Sequence, residues 1–163
     1  MALEIERKFL LANDSWRGAV VRSARMSQAY LGGERASVRV RIVGDQAFLN
    51  IKSREQGHTR QEFEYSIPLS DAEQIMAGLV LPGAIDKTRH YIEFQGNTWE
   101  LDEFHGANQG LCVAEIELVA ADQAFARPAW LGAEVTEQRR YYNNELSRRP
   151  FQQWSDEEKL GPC

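Results

Sequence analysis

Glu4-Ile5-Glu6-Arg7-Lys8-Phe9-Leu10 opens the chain on a period of two. Side chains of an extended strand point alternately to its two faces, so Glu4, Glu6 and Lys8 share one face and Ile5 and Phe9 share the other. The same pattern recurs downstream. Arg39 and Arg41 alternate with valine and isoleucine in 37–42, and Asn50 and Lys52 lie opposite Leu49 and Ile51 in 47–53. Arg60, Glu62 and Glu64 face away from Phe63, Tyr65 and Ile67. Lys87, Arg89, Tyr91 and Glu93 line one side of 86–94, and Glu100 and Asp102 pair up in 98–104. In 111–119, Glu115 and Glu117 stand against Ala114, Ile116 and Leu118. With 25–31, which Gly32-Gly33 ends, this makes eight strand candidates. Gly44-Asp45 and Gln95-Gly96-Asn97 read as hairpin turns.

Helical signals are few. Ser70-Asp71-Ala72-Glu73 has the form of a capping box and predicts a helix over 70–80 that Pro82-Gly83 ends. Residues 121–127, stopped by Pro128, and 136–149, with Tyr141, Tyr142 and Leu146 as apolar points, predict two more. Linkers, repeats and low-complexity stretches do not interrupt the chain. The expectation is one domain over 1–163, with a core of about 3–146 and a helical tail over 136–163. The fold class is α+β, mainly β: eight antiparallel strands closed into a barrel and flanked by a few short helices.

The chain of 163 residues is 43% hydrophobic with a net charge of −5, which suits a globular domain and argues against nucleic acid as partner. Apolar runs are too short to cross a bilayer, and a charged N-terminus is unlike a signal peptide, so no membrane partner and a cytoplasmic location are expected. Cys112 and Cys163 fit neither a metal nor a redox spacing, which suggests reduced thiols, and the three histidines are isolated.

The charges are the informative part. Acids at 4, 6, 62, 64, 100, 102, 115 and 117 and bases at 8, 39, 41, 52, 60, 87 and 89 come from seven of the eight strand candidates. A polar sheet face is ordinarily solvated. Paired carboxylates on strand after strand, however, repel unless cations sit between them. Alternation alone leaves two orientations open: charges outward around a packed apolar core, or charges inward around a wet tunnel whose outer apolar faces the helices cover. Chemistry favours the tunnel. Lysine and arginine neutralise phosphate oxygens, and carboxylates hold hard divalent ions such as Mg2+ or Mn2+ that also bind phosphate. Tyr91 is the only clear aromatic on these charged faces, so little is offered to a nucleobase.

Glu4-Ile5-Glu6-Arg7-Lys8 matches the E-x-E-x-K signature of the CYTH superfamily, the triphosphate tunnel metalloenzymes. In order behind it come Arg39/Arg41, Lys52, Arg60/Glu62/Glu64, Lys87/Arg89, Glu100/Asp102 and Glu115/Glu117, and the chain resembles the family over about residues 3–146. The resemblance implies the inward orientation. It implies that Lys8, Arg39, Arg41, Lys52, Lys87 and Arg89 bind a small-molecule triphosphate, and Arg60 joins them as a base on the same faces. It implies that Glu4, Glu6 and Glu115 hold one divalent ion, and that Glu100, Asp102 and Glu117 hold or position a second with the attacking water, making Lys8, Glu100, Asp102 and Glu117 the catalytic group. Glu62 and Glu64 are further tunnel acids. Residues 134–143 resemble the plug helix of short bacterial members, with Arg139 and Arg140 as candidate bases. The Glu-Ile-Glu-Arg-Lys-Phe start and compact length resemble short bacterial inorganic tripolyphosphatases. Adenylyl cyclase of class IV type, nucleoside or thiamine triphosphatase, and a non-catalytic polyphosphate-binding module are the alternatives, and a homo-oligomer is compatible with all of them.

Overall fold

In the computed structural model, residues 2–54, 59–160 and 163 are described. Nine strands are found among them: β1 (Ala2–Leu11), β2 (Val20–Gly32), β3 (Ala36–Val43), β4 (Gln46–Ser53), β5 (Thr59–Ile67), β6 (Ile85–Phe94), β7 (Asn97–Phe104), β8 (Cys112–Leu118) and β9 (Leu131–Glu134). Every pairing is antiparallel, in the order β5-β4-β3-β2-β6-β7-β8-β1, and β5 also pairs with β1, which closes eight strands into a barrel. Closure removes the exposed edges of an open sheet. The ninth strand, not foreseen from the sequence, adds to β1 beside Phe9 and Leu11.

The two faces of the sheet are stabilised differently. The outer faces of β1 and β6 to β8 carry Phe9, Ile92, Trp99, Leu101, Ala114 and Ile116, covered by Trp16, Phe125 and Trp130. Trp99 meets Phe9, Phe125 and Trp130 edge-on at 5.6–5.7 Å between centroids. Truncating a buried aromatic such as Trp99 to alanine costs about 3–5 kcal/mol. The outer faces of β3 and β4 carry Val40, Ile42 and Ala47 under α1 (Leu69–Gly78).

Four local expectations are corrected. The first helix starts at Leu69 with Pro68 at the N-cap and no side-chain cap, so Ser70 lies inside the first turn; Leu69 packs under the sheet, and that burial sets the start. Residues 121–127 are not helical, and Phe125 instead packs on Phe9 and Trp99. The helix expected over 136–149 is broken into a short 3-10 turn (Arg139–Tyr141) and α2 (Asn143–Arg148), with Tyr142 extended between them. This segment covers no outer face. It enters the end of the barrel, where Tyr141, Leu146, Phe151 and Trp154 pack on Leu10, Tyr30, Ile85, Phe104 and Val113. Gly83, at φ +96°, lets the chain before β6 lie against it; a Cβ there would stand 1.9 Å from the Ser147 carbonyl oxygen. Lastly, Cys112 and Cys163 are joined in a disulfide rather than standing as two thiols. No helix among the described residues is long and apolar enough to cross a membrane.

Candidate active site

Along β1 the inward positions run Glu4, Glu6, Lys8, Leu10, from charged to apolar, and along β6 they run Tyr91, Arg89, Lys87, Ile85. The apolar ends meet the C-terminal plug, and the charged remainder encloses a cavity of about 380 Å³. The inward orientation is therefore the one the chain adopts. Glu4, Glu6, Lys8, Arg39, Arg41, Lys52, Arg60, Glu62, Glu64, Arg89, Glu100, Glu115 and Glu117 all line this cavity.

Lys87 and Asp102 do not. They are 0% and 1% exposed, sealed below the cavity wall. Lys87 Nζ donates to Asp102 Oδ2 at 2.7 Å, and Arg89 donates two bonds to the same carboxylate at 2.8 and 2.9 Å. Burial pushes the Asp102 carboxyl up, but Arg89 and Lys87 outweigh it and keep it ionised. Burial, with Arg89 and Arg41 nearby, brings Lys87 down to about 7 even against Asp102.

Ring order decides what faces what. In the closed order, β2 lies across the barrel from β1, and β3 across from β8. The β1/β8 register sets Lys8 beside Glu115 and Glu6 beside Glu117, and the β1/β5 register sets Glu4 beside Arg60. One wall thus gathers Glu4, Glu6, Glu62, Glu115 and Glu117. The facing wall offers Arg22, Arg39 and Arg41 from β2 and β3.

Part of this charge is compensated within the protein. Lys52 Nζ lies 3.0 Å from Glu4, Lys8 Nζ 3.2 Å from Glu115, Arg60 pairs with Glu6, and Arg89 pairs with Glu100. Burial raises the Glu6 carboxyl, yet Lys52, Arg60 and Lys8 hold it below its usual range. Burial lowers Lys8, yet Glu115 and Glu6 raise it above its usual range.

The remainder is uncompensated. Glu117 has no hydrogen bond or ion pair among the described residues, and burial followed by Glu4, Glu100, Glu62 and Glu6 pushes its carboxyl up. Glu100 is raised too, first by burial and then by Glu115 and Asp102, against Arg89. On the other wall, burial and then Arg39 and Arg89 bring Arg41 down to about 9, and its Nε donates to Gln28 Oε1 at 2.8 Å. Arg39 Nε is shut off from solvent with no acceptor among the described residues. Carboxylate oxygens along one cavity suit a hard divalent cation, although among the described residues no three of these acids converge within 4.8 Å, and the guanidinium groups across from them suit an anion with several oxygens. Glu4, Glu6, Glu100, Glu115 and Glu117 line the cavity and could supply oxygen ligands to such cations.

Some of the wall was not anticipated. Arg22 belongs to β2, which begins at Val20 rather than 25, and lies in phase with Ala24, Met26 and Tyr30, a signal the shorter strand concealed; Gln28 is fully buried behind the cavity, where it meets Arg41. Tyr91 is not the only aromatic, since Tyr30, Phe48 and Tyr142 also line the cavity. Tyr142 and Asn143 come from the plug, and no local pattern announces them. The Tyr142 ring lies 4.1 Å from Lys8 Nζ and 4.9 Å from Arg60 Cζ, and its hydroxyl donates to the Thr136 carbonyl at 2.6 Å. Asn143 Oδ1 accepts from Lys87 Nζ at 3.1 Å and Gln28 Nε2 at 3.3 Å. Of the two plug arginines, Arg140 lies over the Tyr141 and Trp154 rings, and Arg139 lines a smaller neighbouring cavity.

Comparison with known proteins agrees with this architecture. The CYTH domain family matches residues 2–150. An inorganic triphosphatase of Acetivibrio thermocellus is 38% identical over 157 residues, 96% of this chain and 100% of that protein. An inorganic triphosphatase of Nitrosomonas europaea is 35% identical over 149 residues, 88% of this chain and 96% of that protein. A crystal structure of the inorganic triphosphatase NE1496 superposes with a TM-score of 0.65 at 34% identity, covering 88% of this chain and 97% of that one.

Proposed function

The chain belongs to the CYTH domain family, and from that premise we propose that its tunnel hydrolyses inorganic tripolyphosphate to phosphate and pyrophosphate with divalent metal ions. The observation that carries this reading is the pair of facing walls of opposite charge, with Glu117 left over on one and Arg39 and Arg41 on the other. Only a ligand bringing both signs, a polyanion with its cations, relieves both at once.

Arg39 and Arg41, with Arg22 at the rim, would hold phosphate oxygens through charge-assisted hydrogen bonds. Lys8, Lys52, Arg60 and Arg89 are each held by a neighbouring carboxylate. They would exchange that carboxylate for a phosphate oxygen and free Glu115, Glu4, Glu6 and Glu100 as ligands. One or two Mg2+ or Mn2+ ions, when bound by these acids and Glu117, would supply Lewis acidity at the phosphoryl group and a more acidic water. With Glu100, Glu117 would hold or position the water that attacks the terminal phosphorus. Lys87 and Asp102 act from behind the wall: Asp102 fixes the Arg89 fork, and Lys87 ties that carboxylate to the plug through Asn143.

A nucleoside triphosphate is the second reading, because Met26, Val43 and Phe48 add apolar surface to the cavity lining, with Arg22 stacked 3.7 Å above Tyr91. One assay separates them: phosphate release from tripolyphosphate, ATP and thiamine triphosphate with Mg2+, with Mn2+ and in EDTA. The expected result is the highest kcat/KM for tripolyphosphate and no turnover in EDTA. A higher kcat/KM for ATP, cyclic AMP as its main product, or full turnover in EDTA would overturn the proposal.

A further inference from the structure

A second cavity of about 100 Å³ adjoins the tunnel, and Ser37, Arg60, Tyr142 and Asn144 line both. It lies at the barrel end where β3 and β5 begin and β4 ends, against the C-terminal plug, and Ser53, Arg54, Thr136 and Arg139 complete most of its wall.

Its chemistry is that of an anion site. Arg54, Arg60 and Arg139 line it with Glu137 and Glu145, and Arg60 is already engaged by Glu6 on the tunnel side, so the site depends on Arg54. Glu145 is directed in part to Arg148, at 3.5 Å. Arg54 has neither a carboxylate nor any hydrogen-bond acceptor among the described residues, although its Nε is closed off from solvent. A buried guanidinium nitrogen without an acceptor costs free energy that a bound oxyanion would recover. Arg60 sits on the partition, bonded to Glu6 on the tunnel side and stacked toward Tyr142, so the two cavities share a cation. The backbone N–H of Lys8 donates to Thr136 Oγ1 at 3.0 Å, so the wall of the second cavity is tied directly to the tunnel strand.

We propose that this cavity is a second phosphoryl-binding subsite, separated from the tunnel by Tyr142 and Arg60 and depending on Arg54. It rests on the reading of the tunnel as a triphosphate site and extends it. The ligand chemistry is a tetrahedral phosphoryl group, either the next unit of a linear polyphosphate longer than three or a separate orthophosphate. Arg54 lines the second cavity and not the tunnel, so tripolyphosphate binding does not depend on it.

The test is calorimetric titration of wild type, Arg54→Gln and Arg54→Glu in EDTA, where turnover is off, with tripolyphosphate, tetrapolyphosphate and orthophosphate. Both variants should bind tripolyphosphate within about twofold of wild type, while one of the other probes loses roughly tenfold in affinity, the scale of one charge-assisted contact. A loss confined to tetrapolyphosphate identifies the chain extension as occupant. A loss confined to orthophosphate, titrated into protein already filled with tripolyphosphate, identifies the separate anion. Unchanged affinity for both probes in both variants overturns the proposal. Where tripolyphosphate binds wild type too weakly to titrate without its cations, orthophosphate titrated alone into wild type and Arg54→Gln decides the subsite, and equal affinity in the two overturns it.

Discussion

The wall formed by β1, β5 and β8 and the wall formed by β2 and β3 face each other across one cavity, yet the protein treats their charges differently. On the first, bases are interleaved with acids, and Glu117 is left over. On the second, among the described residues Arg41 donates to the Gln28 amide and Arg39 Nε has no acceptor, and Arg41 is brought down to about 9 by burial and by Arg39 and Arg89. The acid wall is partly prepaid by its own cations and needs a small further positive charge. The arginine wall waits for a ligand. Groups held in such uncompensated positions mark a site, because folding alone would favour neutralising them.

The largest expected effect breaks the acid wall. Glu6→Gln keeps the shape but removes a carboxylate charge, and tripolyphosphate turnover should fall at least about 100-fold, the scale of losing one strong electrostatic stabiliser. Activity within tenfold of wild type at saturating Mg2+ and Mn2+ would remove Glu6 from the reacting centre. The arginine wall should respond in binding first. Arg41→Ala is expected to weaken tripolyphosphate affinity by roughly 10-fold or more, with a smaller change in kcat. An equal loss in kcat with unchanged KM would instead place Arg41 at the transferring phosphoryl group.

The smallest effect is on stability. The folded Glu117 carboxyl titrates above its unfolded value, so over that interval the native state binds more protons than the unfolded chain, and stability declines as pH rises through it. Because Glu117 is partly solvated, the gain from removing it is modest: Glu117→Gln should raise Tm in metal-free neutral buffer by about 1–3 °C while lowering activity. Mg2+ or Mn2+ should then raise Tm less in the variant than in wild type. A variant that melts below wild type without metal would show that Glu117 is compensated after all.

Much of the barrel was legible because period-two alternation is a local signal that survives into the fold. β1, β3 to β8 and their inward rows follow it residue by residue. The rest was hidden for identifiable reasons. Leu131–Glu134 is too short to show a period, and Val20–Gly32 was read from only its second half, which concealed Arg22. The segment 136–149 carries helix-like apolar spacing, but Tyr142 leaves the helix to put its ring beside Lys8 and Arg60, a contact between residues far apart in sequence. Pairing of Cys112 with Cys163 spans 51 residues and likewise has no local signature.

By itself the sequence determined that strands would alternate charge with apolar groups, that eight of them could close, and which acids and bases would share a face. Alternation defines faces only relative to each other, since turning every strand over gives the same pattern. The tertiary structure alone decided that the charged faces point inward, because Trp16, Phe125, Trp130 and α1 are available to cover the outer ones. It also decided the roles within the charged set. Ring order sets Arg39 and Arg41 across from Glu115 and Glu117, and the plug seals Lys87 and Asp102 beneath the wall while Lys8 stays on it. Those distinctions depend on distance and solvent access across the closed barrel, quantities that no stretch of one strand contains.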